Sequence, residues 1–174
     1  NNNTCAHATP VRFGFSDAVY FDLNGNSLAL VQEVAALQDA LANGEDVVLA
    51  NDILVANDKT VSSAYGVTGI NILNGQTLDG NGKAFGADTR ITYGSAIYTA
   101  GGTIKNLTVN SGFRGIFMGS ANADVIIDNV TIDNVCYTFN SDGGSKEYGV
   151  YISNSTLNGW TSFSDVHKEV VFTK

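Results

Sequence analysis

Ile127-Asp128-Asn129-Val130-Thr131-Ile132-Asp133 is the middle one of three nearly identical phrases in this chain, and the repetition specifies the architecture. Ile104-Lys105-Asn106-Leu107-Thr108-Val109-Asn110 precedes it and Ile152-Ser153-Asn154-Ser155-Thr156-Leu157-Asn158 follows it. The middle asparagines stand 23 and 25 residues apart, and Phe172-Thr173-Lys174 begins a fourth copy 20 residues after Ile152. An irregular period of this size with strand chemistry in every copy is the pattern of a β-solenoid. Within a copy the first apolar residue points in, the next residue points out and Asn turns the corner. A second short strand then alternates in, out, in. Asparagine tolerates the left-handed backbone region, and its amide can bond the equivalent residue one coil away. Asn106, Asn129 and Asn154 are therefore expected to stack as an internal ladder.

Working outward, Ser95-Ala96-Ile97-Tyr98, Arg114-Gly115-Ile116-Phe117 and Tyr148-Gly149-Val150-Tyr151 share a small, β-branched, aromatic order and predict a further strand column with stacked rings, with Tyr137-Thr138-Phe139 as another candidate member. Asn140 to Lys146 reads as a loop bulging from the coil. Val47-Val48-Leu49, Ile53-Leu54-Val55, Val67 to Leu73 and Thr77-Leu78-Asp79-Gly80-Asn81-Gly82 read as earlier strands, with Leu49, Leu78 and Ile104 expected in one column. Leu30, Val34, Leu37 and Leu41 fall at helical spacing with Asn43-Gly44 as the stop, which predicts an amphipathic helix over about 30–43 laid across the open end of the coil. Residues 1–26, with Val19-Tyr20-Phe21 and a turn at Asn24-Gly25, read as an N-terminal arm or cap strands. Residues 27–174 form the solenoid, all in one elongated domain.

Lys and Arg number 9 against 17 Asp and Glu, a formal charge of −8, so the sequence lacks the basic face that a phosphate backbone requires and nucleic acid is not an expected partner. No run of about 18 apolar residues encodes a membrane span. Cys5 and Cys136 form no zinc-ligand spacing and are a candidate disulfide, with two independent thiols as the alternative. The chain opens Asn1-Asn2-Asn3-Thr4 without Met, as a mature secreted product or a cloned fragment would.

The Asn-corner repeats, the Thr77 to Gly82 segment and the helix leading into Asp46-Val47-Val48-Leu49-Ala50-Asn51-Asp52-Ile53 together resemble the right-handed parallel β-helix proteins of the pectate-lyase-like superfamily. More narrowly they resemble bacterial cell-surface and phage-associated members whose coils end in phrases like Ser155-Thr156-Leu157-Asn158-Gly159-Trp160-Thr161-Ser162-Phe163. The resemblance covers about residues 30–174 and implies an all-β, right-handed parallel β-helix with an N-terminal amphipathic capping helix. It leaves function open, since that superfamily includes lyases, hydrolases, tailspikes and adhesins.

A pectin hydrolase of that superfamily is expected to carry Asn-x-Asp, a paired Asp-Asp, Gly-His-Gly and Arg-Ile-Lys, a set this sequence does not assemble, and His7 and His167 neighbour no nucleophile or second ligand in sequence. A lyase would be assembled from Lys105 and Arg114 with Asp128 and Asp133, since Lys105 and Asp128 occupy the same outward position on successive coils. An exposed ion pair between coils is the competing account. Asp124, Asp128, Asp133 and Asp142 are candidate Ca²⁺ ligands, but their spacing matches no calcium loop, so no metal site or cofactor is expected. Sequons occur at Asn2, Asn106, Asn129 and Asn154, and the last three coincide with corners expected to be packed inside the coil, which would exclude a glycan. Tyr148 and Trp160 are the candidate carbohydrate contacts among the aromatics. The expected function is a non-catalytic extracellular structural or adhesive module at a cell or virion surface. It would self-associate end to end through an open rung at residues 166–174 and the arm at residues 4–22, with surface polysaccharide as a further partner. The alternatives are a polysaccharide lyase and a virion-attached host-recognition module.

Overall fold

A computed structural model describes residues 19–21, 27–31, 34–54, 67–72, 75–86, 95–110, 112–119, 122–142 and 147–174. In chain order the elements are β1 (Val19–Phe21), β2 (Ser27–Val31), α1 (Val34–Ala42), β3 (Asp46–Leu49), β4 (Ile53–Leu54), β5 (Val67–Ile72), β6 (Thr77–Gly86), β7 (Ser95–Thr99) and β8 (Gly102–Asn110). They continue as β9 (Arg114–Met118), β10 (Val125–Asp133), β11 (Tyr137–Asn140), β12 (Val150–Ser153), β13 (Thr156–Leu157), β14 (Trp160–Ser162) and β15 (Val170–Thr173). The first sheet runs β1-β2-β3-β6-β8-β10-β12-β15, with β4 beside β6 and β13 beside β10; the second runs β14-β11-β9-β7-β5. The chain alternates between the two sheets, and among the described residues every pairing apart from the antiparallel β1–β2 pair is parallel. This is a parallel β-solenoid.

Each long strand of the first sheet is two short strands joined at a kink. Asn81, Asn106 and Asn129 adopt φ of 51°, 53° and 54°, and Asn154 follows at 50° between β12 and β13. Left-handed backbone bends the strand while the ladder continues on both sides, which gives the coil a third wall without a loop. Apolar columns fill the space between the walls, three of them running through three or more coils of the described residues. Leu78, Ile104, Ile127 and Ile152 stack in register. Phe85, Val109 and Ile132 form the second column, and Ile70, Ile97, Ile116 and Phe139 the third. All of these are buried. Full burial of one such side chain stabilises by about 1.5–3 kcal/mol, whereas an exposed ion pair contributes about 0–1 kcal/mol. The inward columns, not the charged outward ones, hold the coils together.

The helix starts later than its apolar spacing predicts. Leu30 belongs to β2 and pairs with Val48 in a parallel ladder, so strand pairing takes the residue that the helical pattern would claim. Leu37, Ala40 and Leu41 form the buried face. The C-terminus closes with the Glu45 N–H donating to Ala40 O (3.0 Å), the Gly44 N–H to Leu41 O (3.0 Å) and Gly44 at φ 82°, the geometry of a Schellman stop. Gln76, buried ahead of β6, donates through Nε2 to Leu41 O (2.9 Å) and Glu45 O (2.8 Å), which ties the helix end to the coil. The helix packs against β5, the outermost described strand of the second sheet, while β1 and β2 lie beyond it in the first. It therefore fills the place of one strand in one wall and does not cross the whole end.

Three strand expectations need correction. Val47, not Leu49, pairs with Leu78. Leu49 is still buried, because a two-residue offset leaves the side chain on the same face. Val150 and Tyr151 lie in β12 of the first sheet against Val125 and Ile126, so the 148–151 segment leaves the column of β7 and β9 and β11 takes that place. Asn140 is a buried strand residue of β11, not part of a loop. The last copy falls in the expected register, with Ile152 beside Phe172 and Ser153 beside Thr173. Most of the 1–26 arm lies outside the described residues; its described part is the β1–β2 hairpin.

Candidate functional site

The corner asparagines bond from coil to coil along an outer edge. Asn129 Nδ2 donates to Asn106 Oδ1 (2.9 Å), Asn106 Nδ2 to Asp79 Oδ1 (3.0 Å), and Asn154 Nδ2 to Asp128 Oδ1 (2.8 Å) in place of Asn129. Asn129 and Asn154 are exposed and Asn106 is half-buried, so burial does not exclude a glycan at the first two, contrary to expectation. The left-handed kink keeps the Asn129 side chain at the outer edge, between outward Asp128 and buried Val130. Ser155 stands where Leu107 and Val130 stand in the preceding coils, and its hydroxyl accepts from the Val130 N–H (3.0 Å), a bond that spans the break between β12 and β13.

Beside the corner, Asp79, Lys105, Asp128 and Ser153 form one outward column in register. Lys105 Nζ lies 3.4 Å from Asp79 Oδ2. Asp128 Oδ1 also accepts from Ser153 Oγ (2.6 Å). These bonds hold the Asp128 carboxyl below the usual carboxylate value of 3.8, with the Ser153 hydroxyl the larger cause and the Asn154 amide the next. Arg114 is not part of this face. It sits in the second sheet, 6% exposed, with Nε donating to Asn140 Oδ1 (2.6 Å) and its guanidinium 5.1 Å and 5.0 Å from the Phe113 and Phe117 ring centres. The structure therefore does not bring Lys105 and Arg114 together.

A second polar cluster joins Asp124, Gly149 and Lys168 from successive coils, outside the corner repeat. Asp124 accepts from the Gly149 N–H (2.8 Å) and from Lys168 Nζ (2.9 Å and 3.1 Å). The Gly149 bond, followed by Lys168, holds its carboxyl below the ordinary value, and the bond to Asp124 raises Lys168. Tyr151 donates to Glu169 Oε1 (2.6 Å), which raises the phenol. His167 Nδ1 stands 3.6 Å from Glu147 Oε1, both exposed. Asp133 receives the Asn134 N–H (2.7 Å). Among the described residues no three His, Cys, Asp or Glu side chains converge as a metal site, and Asp124, Asp128 and Asp133 each serve separate local bonds. Asn-x-Asp, one element of the hydrolase set, does occur as Asn122-Ala123-Asp124 and Asn140-Ser141-Asp142, but Asp124 is bound by Lys168 and Asn140 by Arg114.

Cys136 carries a half-buried free thiol. Cys5 and His7 lie outside the described residues. Tyr148 is half-buried against the core, whereas Trp160 is 71% exposed with its ring edge-to-face on Tyr137 at 5.9 Å. Among the described residues no helix is long and apolar enough to cross a membrane. A scan against protein-family models, a search of curated proteins and a search of solved structures each returned no match.

Proposed function

We propose that this chain is a non-catalytic extracellular scaffold of structural or adhesive type, similar in style to the pectate-lyase-like β-helix proteins of bacterial surfaces. A virion-attached recognition module is the same reading on a different particle. The supporting observation is the use made of the outward polar groups: Asp79, Lys105, Asp128, Asn129 and Asn154 all bond to an adjacent coil. The shifted titrating groups agree with this. Asp124 and Asp128 become stronger acids, and Lys168 and Tyr151 become weaker ones. An acid–base catalyst near neutrality instead needs a group moved toward neutral pH. The lyase reading has less support, since its two basic residues lie in different sheets and Arg114 is buried.

Incubation with polygalacturonate and alginate tests the reading directly. The expected result is no rise in the ultraviolet absorbance of unsaturated uronates, with Lys105→Ala changing only thermal stability. A time-dependent rise abolished by that substitution would sink the proposal. The assembly that goes with the reading is end-to-end self-association through residues 166–174 and the arm at residues 4–22. Light scattering of the full chain beside one lacking residues 4–22 measures it, and assembly unchanged by the deletion counts against it.

A further inference from the structure

At one corner of the coil, where the first sheet hands over to the second, two rails run side by side along the axis. One is aromatic. Tyr137 pairs in register with Trp160, and the Tyr137 N–H donates to Phe113 O (2.9 Å). The three rings follow one another edge to face at 5.5 Å and 5.9 Å. The other rail is polar. Asn110 pairs with Asp133, and the Asn158 N–H donates to Ile132 O (2.9 Å), which sets Asn158 beside Asp133 on the next coil. Asp133 and Asn158 are exposed and Asn110 is half-buried. Phe113 and Tyr137 are half-buried, but Trp160 leaves 71% of its surface in water. The coil does not need an indole there, since the stacking columns inside it are complete without Trp160. A large exposed aromatic rimmed by polar groups is the composition of a recognition surface.

We propose that this corner binds a neutral polysaccharide lying along the coil axis, with Trp160 as the stacking platform and Asn110, Asp133 and Asn158 as partners for its hydroxyls. A sugar ring presents an apolar C–H face and a rim of hydroxyls. It therefore needs an aromatic face beside groups that both donate and accept, which amides and a carboxylate supply. Three coils at the usual strand spacing extend the rails over roughly 10 Å, which suits a run of sugar rings better than a single one. The charge of the chain selects among polymers. At −8 overall, with Asp133 in the polar rail, a polyuronate meets like charge, and a stacked nucleic acid lacks the basic groove it requires. The proposal deepens the adhesive-scaffold reading and rests on it.

Trp160 is the chain's single tryptophan, so its emission reports on this site alone. The full chain is run by affinity electrophoresis through gels containing xyloglucan, galactomannan or mixed-linkage β-glucan, with polygalacturonate as the acidic comparator. The same polymers are titrated against tryptophan fluorescence. The expected result is retardation by at least one neutral polymer, a blue shift of emission on binding, and about tenfold weaker binding for Trp160→Ala at an unchanged melting temperature. Asn158→Ala should weaken binding less. No retardation by any neutral polymer, retardation insensitive to Trp160→Ala, or retardation by polygalacturonate alone would each overturn the proposal. Such a failure leaves the scaffold reading standing, whereas lyase activity sinks the scaffold reading whatever the gels show.

Discussion

Replacing Asn129 with Gly and, separately, with Ala isolates what a corner asparagine does. Both substitutions delete the bond from Nδ2 to Asn106 Oδ1, 2.9 Å long and on an exposed edge. Such a bond contributes about 0.5–1 kcal/mol net. They differ in the backbone, since the position holds φ of 54° and Gly adopts this conformation freely. Ala pays for it, and at positive φ a Cβ costs about 1 kcal/mol relative to Gly even after its smaller unfolded-state entropy is counted. Asn129→Gly is thus expected to lose about 0.5–1 kcal/mol and Asn129→Ala about 1.5–2 kcal/mol. In a chain of this size each kcal/mol corresponds to roughly 2–4 °C in melting temperature. Urea titration followed by far-ultraviolet circular dichroism measures both variants, with midpoints compared at constant slope. If Ala proves as stable as Gly, the left-handed kink is not what the corner requires, and the account of how this coil turns is wrong.

Gly80→Ala should lower the melting temperature through overpacking by about 1–3 kcal/mol, because a Cβ there would lie 2.5 Å from Asn106 O and 2.7 Å from Leu107 Cα, both backbone atoms of the next coil. Gln76→Ala strips the buried Leu41 carbonyl and the half-buried Glu45 carbonyl of a donor, at about 1–3 kcal/mol, and amide hydrogen exchange should report the loss first over α1. Stability should also depend on pH at both extremes. The folded-state pKa values of Asp124 and Asp128 are depressed below 3.8, so their contribution is present above that value and is lost as pH falls through the folded pKa. That of Lys168 is raised above 10.5, so its contribution is present below that value and is lost as pH rises through the folded pKa. Melting temperature against pH checks both limbs. Asp128→Asn should flatten the acid limb, and an acid limb unchanged in that variant would refute its assignment.

The coil's period, its inward alternation and its Asn corners were legible in sequence because each depends on a residue and its nearest neighbours. Ile127, Asn129 and Val130 state their roles through strand parity and backbone preference alone. The polar clusters were not legible. Asp124 and Lys168 meet across 44 residues of chain, two coils apart and in neighbouring rather than equivalent columns, outside the corner repeat that the sequence displays. Arg114 looked like an outward base, yet it lies buried between Phe113 and Phe117, because the sequence pattern of a small strand does not reveal what covers it.

Residue order alone therefore specifies the repeating unit: strand, left-handed Asn, strand, with one apolar face. Tertiary structure decided how the units join. The pairing of Leu78 with Val47 instead of Leu49, the transfer of Val150 and Tyr151 into the first sheet, and the loss of Leu30 from the helix to β2 all keep the same in-and-out parity or the same apolar content. A local pattern cannot distinguish such alternatives. Only the ladder bonds and the packing of the finished coil separate them energetically.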